Sequence, residues 1–240
     1  MADAAQDVGF LNHLQQHWPF PTPLVGCILV SACFTEQAAS PELFEHYTIP
    51  MPKAALKRQA EFLAARLCAR EALRLQTGQP SLPSQQDNSR APAWPQYSCG
   101  SMSHSHRLCA AIVGDSRHWQ GLGLDIEKRL DHARAQRLAK TILTPDEYSA
   151  YGRLDDVTAA TYLTLVFSFK ESLFKALNPL TGTYFGFYDA QVLGLDVAEQ
   201  GHVRLRLCKD LSPQWRAGDE LPGQFSFLHG SALTLVSVAA

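Results

Sequence analysis

Residues 121–128 read Gly-Leu-Gly-Leu-Asp-Ile-Glu-Lys, and residues 167–175 read Phe-Ser-Phe-Lys-Glu-Ser-Leu-Phe-Lys. The first stretch alternates with the period of a strand, which sends Asp125 and Glu127 to one face and Leu122, Leu124 and Ile126 to the other. Two neighbouring carboxylates repel unless a proton or a cation lies between them. Hard oxygen donors of this kind suit Mg²⁺. A solvated acidic strand end explains the same two residues equally well. The Gly121-x-Gly123 pair is weak as a nucleotide motif, because Ile126 stands where a third glycine is needed.

The second stretch has helical spacing. Glu171 and Lys175 are four apart and share a face, while Phe167 and Phe174 fall on an apolar face with Leu163 and Leu177. Glu171 and Lys175 read either as an ordinary surface ion pair or as a third metal ligand or general base beside a phosphate-binding lysine.

Around these two stretches the sequence predicts an α+β protein. Residues 24–30 form a short apolar run suited to a buried strand. Residues 53–76 predict the longest helix, with Pro52 at its start, Gly78 as its stop, and Leu56, Ala60, Leu63 and Leu67 as its core face. Residues 77–101 are rich in Pro, Gly, Ser and Gln and read as a long functional loop. Runs at 108–113 and 121–126, joined through Arg117, His118 and Trp119, suggest a hairpin. Thr144-Pro145-Asp146-Glu147 is a capping-box start signal. Helical pattern resumes over 159–177 and is expected to stop near Asn178-Pro179. Residues 202–207 and 232–238 alternate as strands. Each half of the chain thus has helical material and a β region, with 1–120 and 121–240 as the expected division.

The bulk figures exclude several classes. Net charge is −2 over 240 residues, so no global field attracts nucleic acid or an acidic membrane. Hydrophobic residues make up 46%, enough for a sizeable core, yet no run reaches the length of a membrane span. The first ten residues lack the basic and apolar regions of a signal peptide, so a cytoplasmic location is expected. None of the six cysteines forms a C-x₂-C pair, and they read as reduced core thiols.

Several basic and polar residues are candidates for anion binding. Arg66, Arg70 and Arg74 stack at i, i+4 and i+8, a repulsive arrangement that a polyanion would relieve; solvated pairs Lys57–Glu61 and Glu71–Arg74 are the plainer reading. Ser103-His104-Ser105 offers a hydroxyl and an imidazole to a phosphate. His104 and His106 also have the spacing of a metal pair, and Ser103–His104 that of a nucleophile and its base, though no G-x-S-x-G turn is present.

Taken together, the two opening stretches resemble the signature blocks of the 4′-phosphopantetheinyl transferase superfamily, roughly (V/I)-G-(I/V)-D and (F/W)-(S/C/T)-x-K-E-(S/A)-x-x-K. The resemblance is to the long type, named for the surfactin and enterobactin enzymes. It implies a pseudo-dimer of two similar α+β halves in one chain, acting as a monomer. It also implies transfer of 4′-phosphopantetheine from coenzyme A to a serine of acyl or peptidyl carrier proteins. By that resemblance Asp125, Glu127 and Glu171 hold Mg²⁺, with Glu171 doubling as the candidate base and Lys175 on phosphate. Residues 58–66 are similar to the family's R-x-x-x-F-L-A-G-R block, with Ala65 in place of its glycine, which makes Arg66 a coenzyme A contact. Ser103 and His104 match its S-H block. Ser89-Arg90-Ala91-Pro92-Ala93-Trp94-Pro95 resembles its nucleotide loop, with Arg90 as the contact. A non-catalytic carrier-binding homologue and a zinc-type hydrolase built on His104 and His106 are the alternative readings. The charged run 131–140 is a candidate carrier surface.

Overall fold

The computed structural model describes residues 9–85 and 91–240. The chain begins with strands β1 (Leu11–Gln16) and β2 (Cys27–Phe34), a short helix α1 (Pro41–His46) and the long helix α2 (Leu56–Thr77). A two-residue ladder, β3 (Ser84–Gln85) with β4 (Pro92–Ala93), leads to β5 (Ser98–Ser105) and β6 (Leu108–Asp115). These strands form an antiparallel sheet in the order β1-β2-β6-β5. There follow β7 (Trp119–Lys128), helices α3 (His132–Ile142), α4 (Pro145–Tyr151) and α5 (Asp156–Thr181), and strands β8 (Ala190–Leu193), β9 (Gln200–Leu207), β10 (Glu220–Leu228) and β11 (Ser231–Ala239). The second sheet is antiparallel in the order β7-β11-β10-β9-β8. The architecture is α+β, with one long helix packed on each sheet.

The apolar run of β6 follows from its position between two layers. Cys109, Ala111 and Val113 join the core under α2, with Leu63, Leu67 and Val30. Leu108, Ala110 and Ile112 face the other way, into a core shared with Leu122, Leu124 and Ile126 of β7 and Leu233 and Leu235 of β11. That shared core joins the two sheets face to face. A third core lies under α5. The apolar core between the sheets makes the whole a continuous body.

Several sequence expectations need correction. Strands β6 and β7 are not a hairpin: β6 pairs with β2 and β5, and β7 pairs with β11. The short connection between them carries the chain from one sheet to the other. Pro52 does not start α2, whose N-cap is Ala55, and Leu56 is exposed; Ala60, Leu63 and Leu67 do form the buried face. Gly78 stops α2 as expected, with φ 77°. Pro179 lies inside α5, which runs on to a left-handed Gly182. Proline costs only its own bond back to Lys175, and it does so in the last turn, where few bonds remain. Strand β11 is buried on both faces, Val236 and Val238 toward α5 and Leu233 and Leu235 toward the first sheet. Arg90 and Ser89 lie outside the described residues.

Candidate active site

Packing of α5 onto β7 builds the acidic centre. The face of β7 turned to α5 carries Gly121, Gly123, Asp125 and Glu127, and α5 answers with Ala176, Ser172 and Ser168 at four-residue intervals. A Cβ on Gly123 would lie 1.8 Å from the Ser172 carbonyl oxygen, and one on Gly121 2.6 Å from that of Ala176. The two glycines therefore serve helix–strand approach rather than a nucleotide. This close contact brings Ser168 Oγ within 2.8 Å of Asp125 Oδ2, to which it donates. Ser168 and Ser172 also share hydrogen bonds with Thr234 Oγ1 on β11, each at 2.8 Å.

Lys175 turns toward the strand, not toward Glu171. Its Nζ donates to Asp125 Oδ1 at 2.7 Å, the Leu124 carbonyl at 3.0 Å and Ser103 Oγ at 3.1 Å. Ser103 in turn donates to Asp125 Oδ1 at 3.0 Å and accepts from the Ile126 amide at 3.1 Å. Its hydroxyl is fully engaged in holding the carboxylate. Burial and the Asp125 charge raise Glu171 above the usual carboxylate range. Burial raises Glu127 to about 7, reinforced by Asp125 and Glu171. Among the described residues no three His, Cys, Asp or Glu side chains stand in metal-holding geometry. The donor set is nonetheless suited to a hard divalent cation. The Asp125 charge raises the proton affinity of both Glu127 and Glu171, and Asp125 Oδ2 accepts a single hydrogen bond, leaving a lone pair.

One wall of a cavity of about 790 Å³ runs from this centre along α2. Its polar lining comprises Asp125, Glu171, Lys175, Ser103, His104, Arg58 and Arg66; Phe62, Trp94, Phe174, Leu180 and Tyr184 supply apolar surface. Of the sequence candidates, Asp125, Glu171, Lys175, Ser103, His104 and Arg66 meet here. Glu127, two residues beyond Asp125, is not part of the lining. Arg66 stacks over the Phe62 ring at 3.5 Å, and burial with the neighbouring Arg58 lowers it to about 10. Arg74 forms the solvated pair with Glu71. Glu61 pairs with Arg58 rather than Lys57.

His104 Nε2 accepts from Arg58 Nη1 at 2.7 Å, while Nδ1 faces Glu61 at 3.6 Å. Since arginine only donates, Nε2 is unprotonated and the ring is neutral. Burial lowers its pKa to about 4 in agreement, with Glu61 opposing. His104 and His106 do not act as a pair: His106 bonds Ser105 Oγ at 3.0 Å.

Two functional features were missed from sequence. Arg58 is the first residue of the arginine block and lies on the cavity wall; its helical spacing from Glu61 and Arg66 was the available signal. Lys170 is buried and donates to Glu147 Oε2 at 2.6 Å and to the carbonyls of Ile142 and Phe187, each at 2.8 Å. Burial lowers its pKa, with Glu147 opposing. Glu147 also completes the capping box of α4 and accepts from the Val192 amide at 2.7 Å. The pair fixes α5 against α4 and β8, and so fixes the adjoining Glu171.

Comparison with known proteins gives the family. Residues 45–114 match the model of the 4′-phosphopantetheinyl transferase N-terminal domain, and residues 121–235 that of the 4′-phosphopantetheinyl transferase superfamily. Enterobactin synthase component D of Salmonella typhi is 32% identical over 194 residues, 78% of this chain and 76% of that protein. The 4′-phosphopantetheinyl transferase Svp of Streptomyces mobaraensis is 31% identical over 230 residues, 90% of each chain. The chain belongs to the 4′-phosphopantetheinyl transferase superfamily. Within it, the chain is of the long surfactin and enterobactin type, an enzyme of phosphopantetheinyl transfer to carrier proteins. Among the described residues no helix is long and apolar enough to cross a membrane.

Proposed function

We propose that coenzyme A is the donor, that Mg²⁺ is required, and that the acceptor is a serine hydroxyl of an acyl or peptidyl carrier protein. Adenosine 3′,5′-bisphosphate is the other product. The observation that carries this reading is the charge layout of the cavity: carboxylates with Lys175 at one end, and Arg58 and Arg66 along the wall. A ligand with a diphosphate at one end and a further phosphate at the other fits it. In this reading residues 1–120 form the coenzyme A side and residues 121–240 carry the metal-binding motifs, in a monomer of the cytosol.

Asp125, Glu127 and Glu171 would hold the metal ion, which supplies charge neutralisation on the diphosphate when bound. Lys175 places a cation beside the transferred phosphoryl group, and Arg58 and Arg66 bind and orient the nucleotide end. His104, neutral and bonded to Arg58 with its Nδ1 turned to Glu61, sets the direction of that guanidinium toward a phosphate. The acceptor hydroxyl must lose a proton. Glu171, raised above an ordinary carboxylate, is the better acceptor for it. Phosphoryl transfer of this kind is accelerated mainly by positioning and charge stabilisation.

The test is mass spectrometry of an apo carrier protein incubated with the enzyme, coenzyme A and Mg²⁺. A gain of roughly 340 Da is expected, the mass of the group moved by this phosphoryl chemistry. Asp125→Ala should abolish the gain with the fold intact by circular dichroism. Near-normal turnover of that variant would sink the assignment.

A further inference from the structure

Helix α5 carries hydroxyls along its length, and they divide into two kinds. Thr161 and Thr164 donate to the carbonyls of Val157 and Ala160, one helical turn back, at 3.1 and 2.7 Å. That is the ordinary use of a hydroxyl inside a helix. Ser168 and Ser172 turn away from their own helix. Ser168 Oγ meets Asp125 Oδ2 on β7, and Ser172 Oγ meets Thr234 on β11. Thr234 lies directly across from Asp125 in the β7–β11 ladder. The other side chains on its face of β11 are Ala232, Val236 and Val238, all in the core under α5. Valine would fill the same space there without burying a hydroxyl, so packing alone gives no reason for threonine.

The supply of protons gives these contacts a direction. Asp125, paired with Lys175, is a carboxylate and only accepts. The single Ser168 hydroxyl proton therefore lies on Asp125 Oδ2, at 2.8 Å. The Ser168–Thr234 contact, also 2.8 Å, then needs Thr234 as donor. With that proton in use, the Thr234–Ser172 contact, again 2.8 Å, needs Ser172 as donor; Ser172 also reaches the Thr234 carbonyl at 3.1 Å. Ser168, Ser172 and Thr234 are fully buried, so water cannot take a place in the series. The chain runs one way, Ser172 to Thr234 to Ser168 to Asp125, and each bond polarises the next. Its end matters because the two oxygens of Asp125 are used differently. Oδ1 accepts from Lys175 and Ser103, while Oδ2 accepts from Ser168 alone. The place of the Ser168 proton thus decides which lone pair of Oδ2 is left for a cation.

We propose that Thr234 is a positioning residue for the metal site: by donating to Ser168 it keeps that hydroxyl on Asp125 and off the Thr164 carbonyl one turn back. The inference rests on the reading of Asp125 as a Mg²⁺ ligand and extends it to a strand outside both signature stretches. Thr234→Val removes the donor and keeps the shape. Ser168 and Ser172 each keep an acceptor, Asp125 Oδ2 and the carbonyl of residue 234, so no buried donor is stranded. Ser168 is then free to divide its proton between Asp125 and the Thr164 carbonyl, and Oδ2 loses its fixed direction.

The experiment titrates Mn²⁺, a paramagnetic substitute for Mg²⁺ on oxygen donors, into wild type, Thr234→Val, Thr234→Ser and Ser168→Ala. Free ion is followed by electron paramagnetic resonance, with thermal melting beside it. Thr234→Val should bind Mn²⁺ about tenfold more weakly, as the loss of a group behind a ligand does, and melt within about 3 °C of wild type. The half-saturating Mg²⁺ for carrier-protein transfer should rise in parallel. Thr234→Ser keeps the hydroxyl and should restore binding to within about twofold of wild type, while Ser168→Ala should lose at least as much as Thr234→Val. Equal Mn²⁺ affinity in wild type and Thr234→Val overturns the proposal. So does equal weakening in Thr234→Val and Thr234→Ser, which would trace the effect to packing. Should wild type bind no Mn²⁺, the metal reading fails separately. The crystal structure of Thr234→Val then tests the positioning alone: Ser168 turned to the Thr164 carbonyl supports it, and Ser168 still held on Asp125 at the wild-type distance overturns it.

Discussion

Replacing Gly123 by alanine probes the contact on which the active centre depends. Gly123 lies in ordinary strand conformation, so the substitution carries no φ penalty. Its added Cβ would stand 1.8 Å from the Ser172 carbonyl oxygen and 2.8 Å from the Ala176 amide nitrogen. Both obstacles are backbone, so no side chain can swing aside, and α5 must retreat by about 1.5 Å to reach ordinary contact distance. Overpacking of this kind costs about 1–3 kcal/mol, and a rigid backbone neighbour puts the cost at about 3. For a chain of this size that is a fall in Tm of roughly 6–12 °C. Activity should fall further than stability. The same helix carries Ser168, Glu171 and Lys175, and a misplacement of about 1 Å costs about 100-fold in rate. The assay is carrier-protein transfer followed by mass spectrometry, paired with thermal melting. Gly121→Ala, whose Cβ would sit 2.6 Å from a carbonyl, should be less severe, and Gly152→Ala, at 3.6 Å, should be silent. If Gly123→Ala melts within about 2 °C of wild type and turns over normally, the close helix–strand contact is not what sets the site.

Two further outcomes follow from the buried charges. Lys170→Met should lower stability by about 3–5 kcal/mol in urea unfolding, because Glu147 is left charged and buried; adding Glu147→Gln should recover part of that loss, and no recovery would mean the charge is not the cause. Glu127, raised to about 7, keeps its proton in the folded state while the unfolded chain releases it near 4.5. Stability of the metal-free protein should therefore fall as pH rises from about 4.5 to about 7, by about 2 kcal/mol once partial exposure is discounted. Glu127→Gln should remove that decline, and parallel urea profiles for the two proteins between pH 5 and pH 8 would refute it.

How far the sequence could be read depended on the range of the interactions. The capping box at Thr144 and Glu147, the stop at Gly78 and the alternation of β9 are local, and local chemistry decides them. Asp125 and Glu171 were legible only as a pair, because neither stretch excludes a plain surface role by itself. The supposed β6–β7 hairpin failed for the opposite reason. A three-residue connection suits a hairpin, but β6 already had two partners, β5 through the two-residue turn at His106-Arg107 and β2 from far back in the chain. The alternation of 232–238 announced β11 as a strand, but not that both its faces are buried, which follows from stacking two sheets. The Lys170–Glu147 pair spans 23 positions and joins a helix face to a capping residue, so no periodicity announces it. Lys175 reads as a partner of Glu171 by spacing, yet the close approach of α5 to β7 gives it to Asp125.

Ser103 belongs to the first sheet but completes the chemistry of the second. One oxygen accepts from the Ile126 amide, holding the edges of two sheets together, and donates to Asp125. The seam between the halves and the charged centre therefore share a single atom. Assembly and catalytic competence are then one cooperative event rather than two. A fragment beginning at Gly121 would possess every carboxylate of the site and still lack the hydroxyl that aims Asp125.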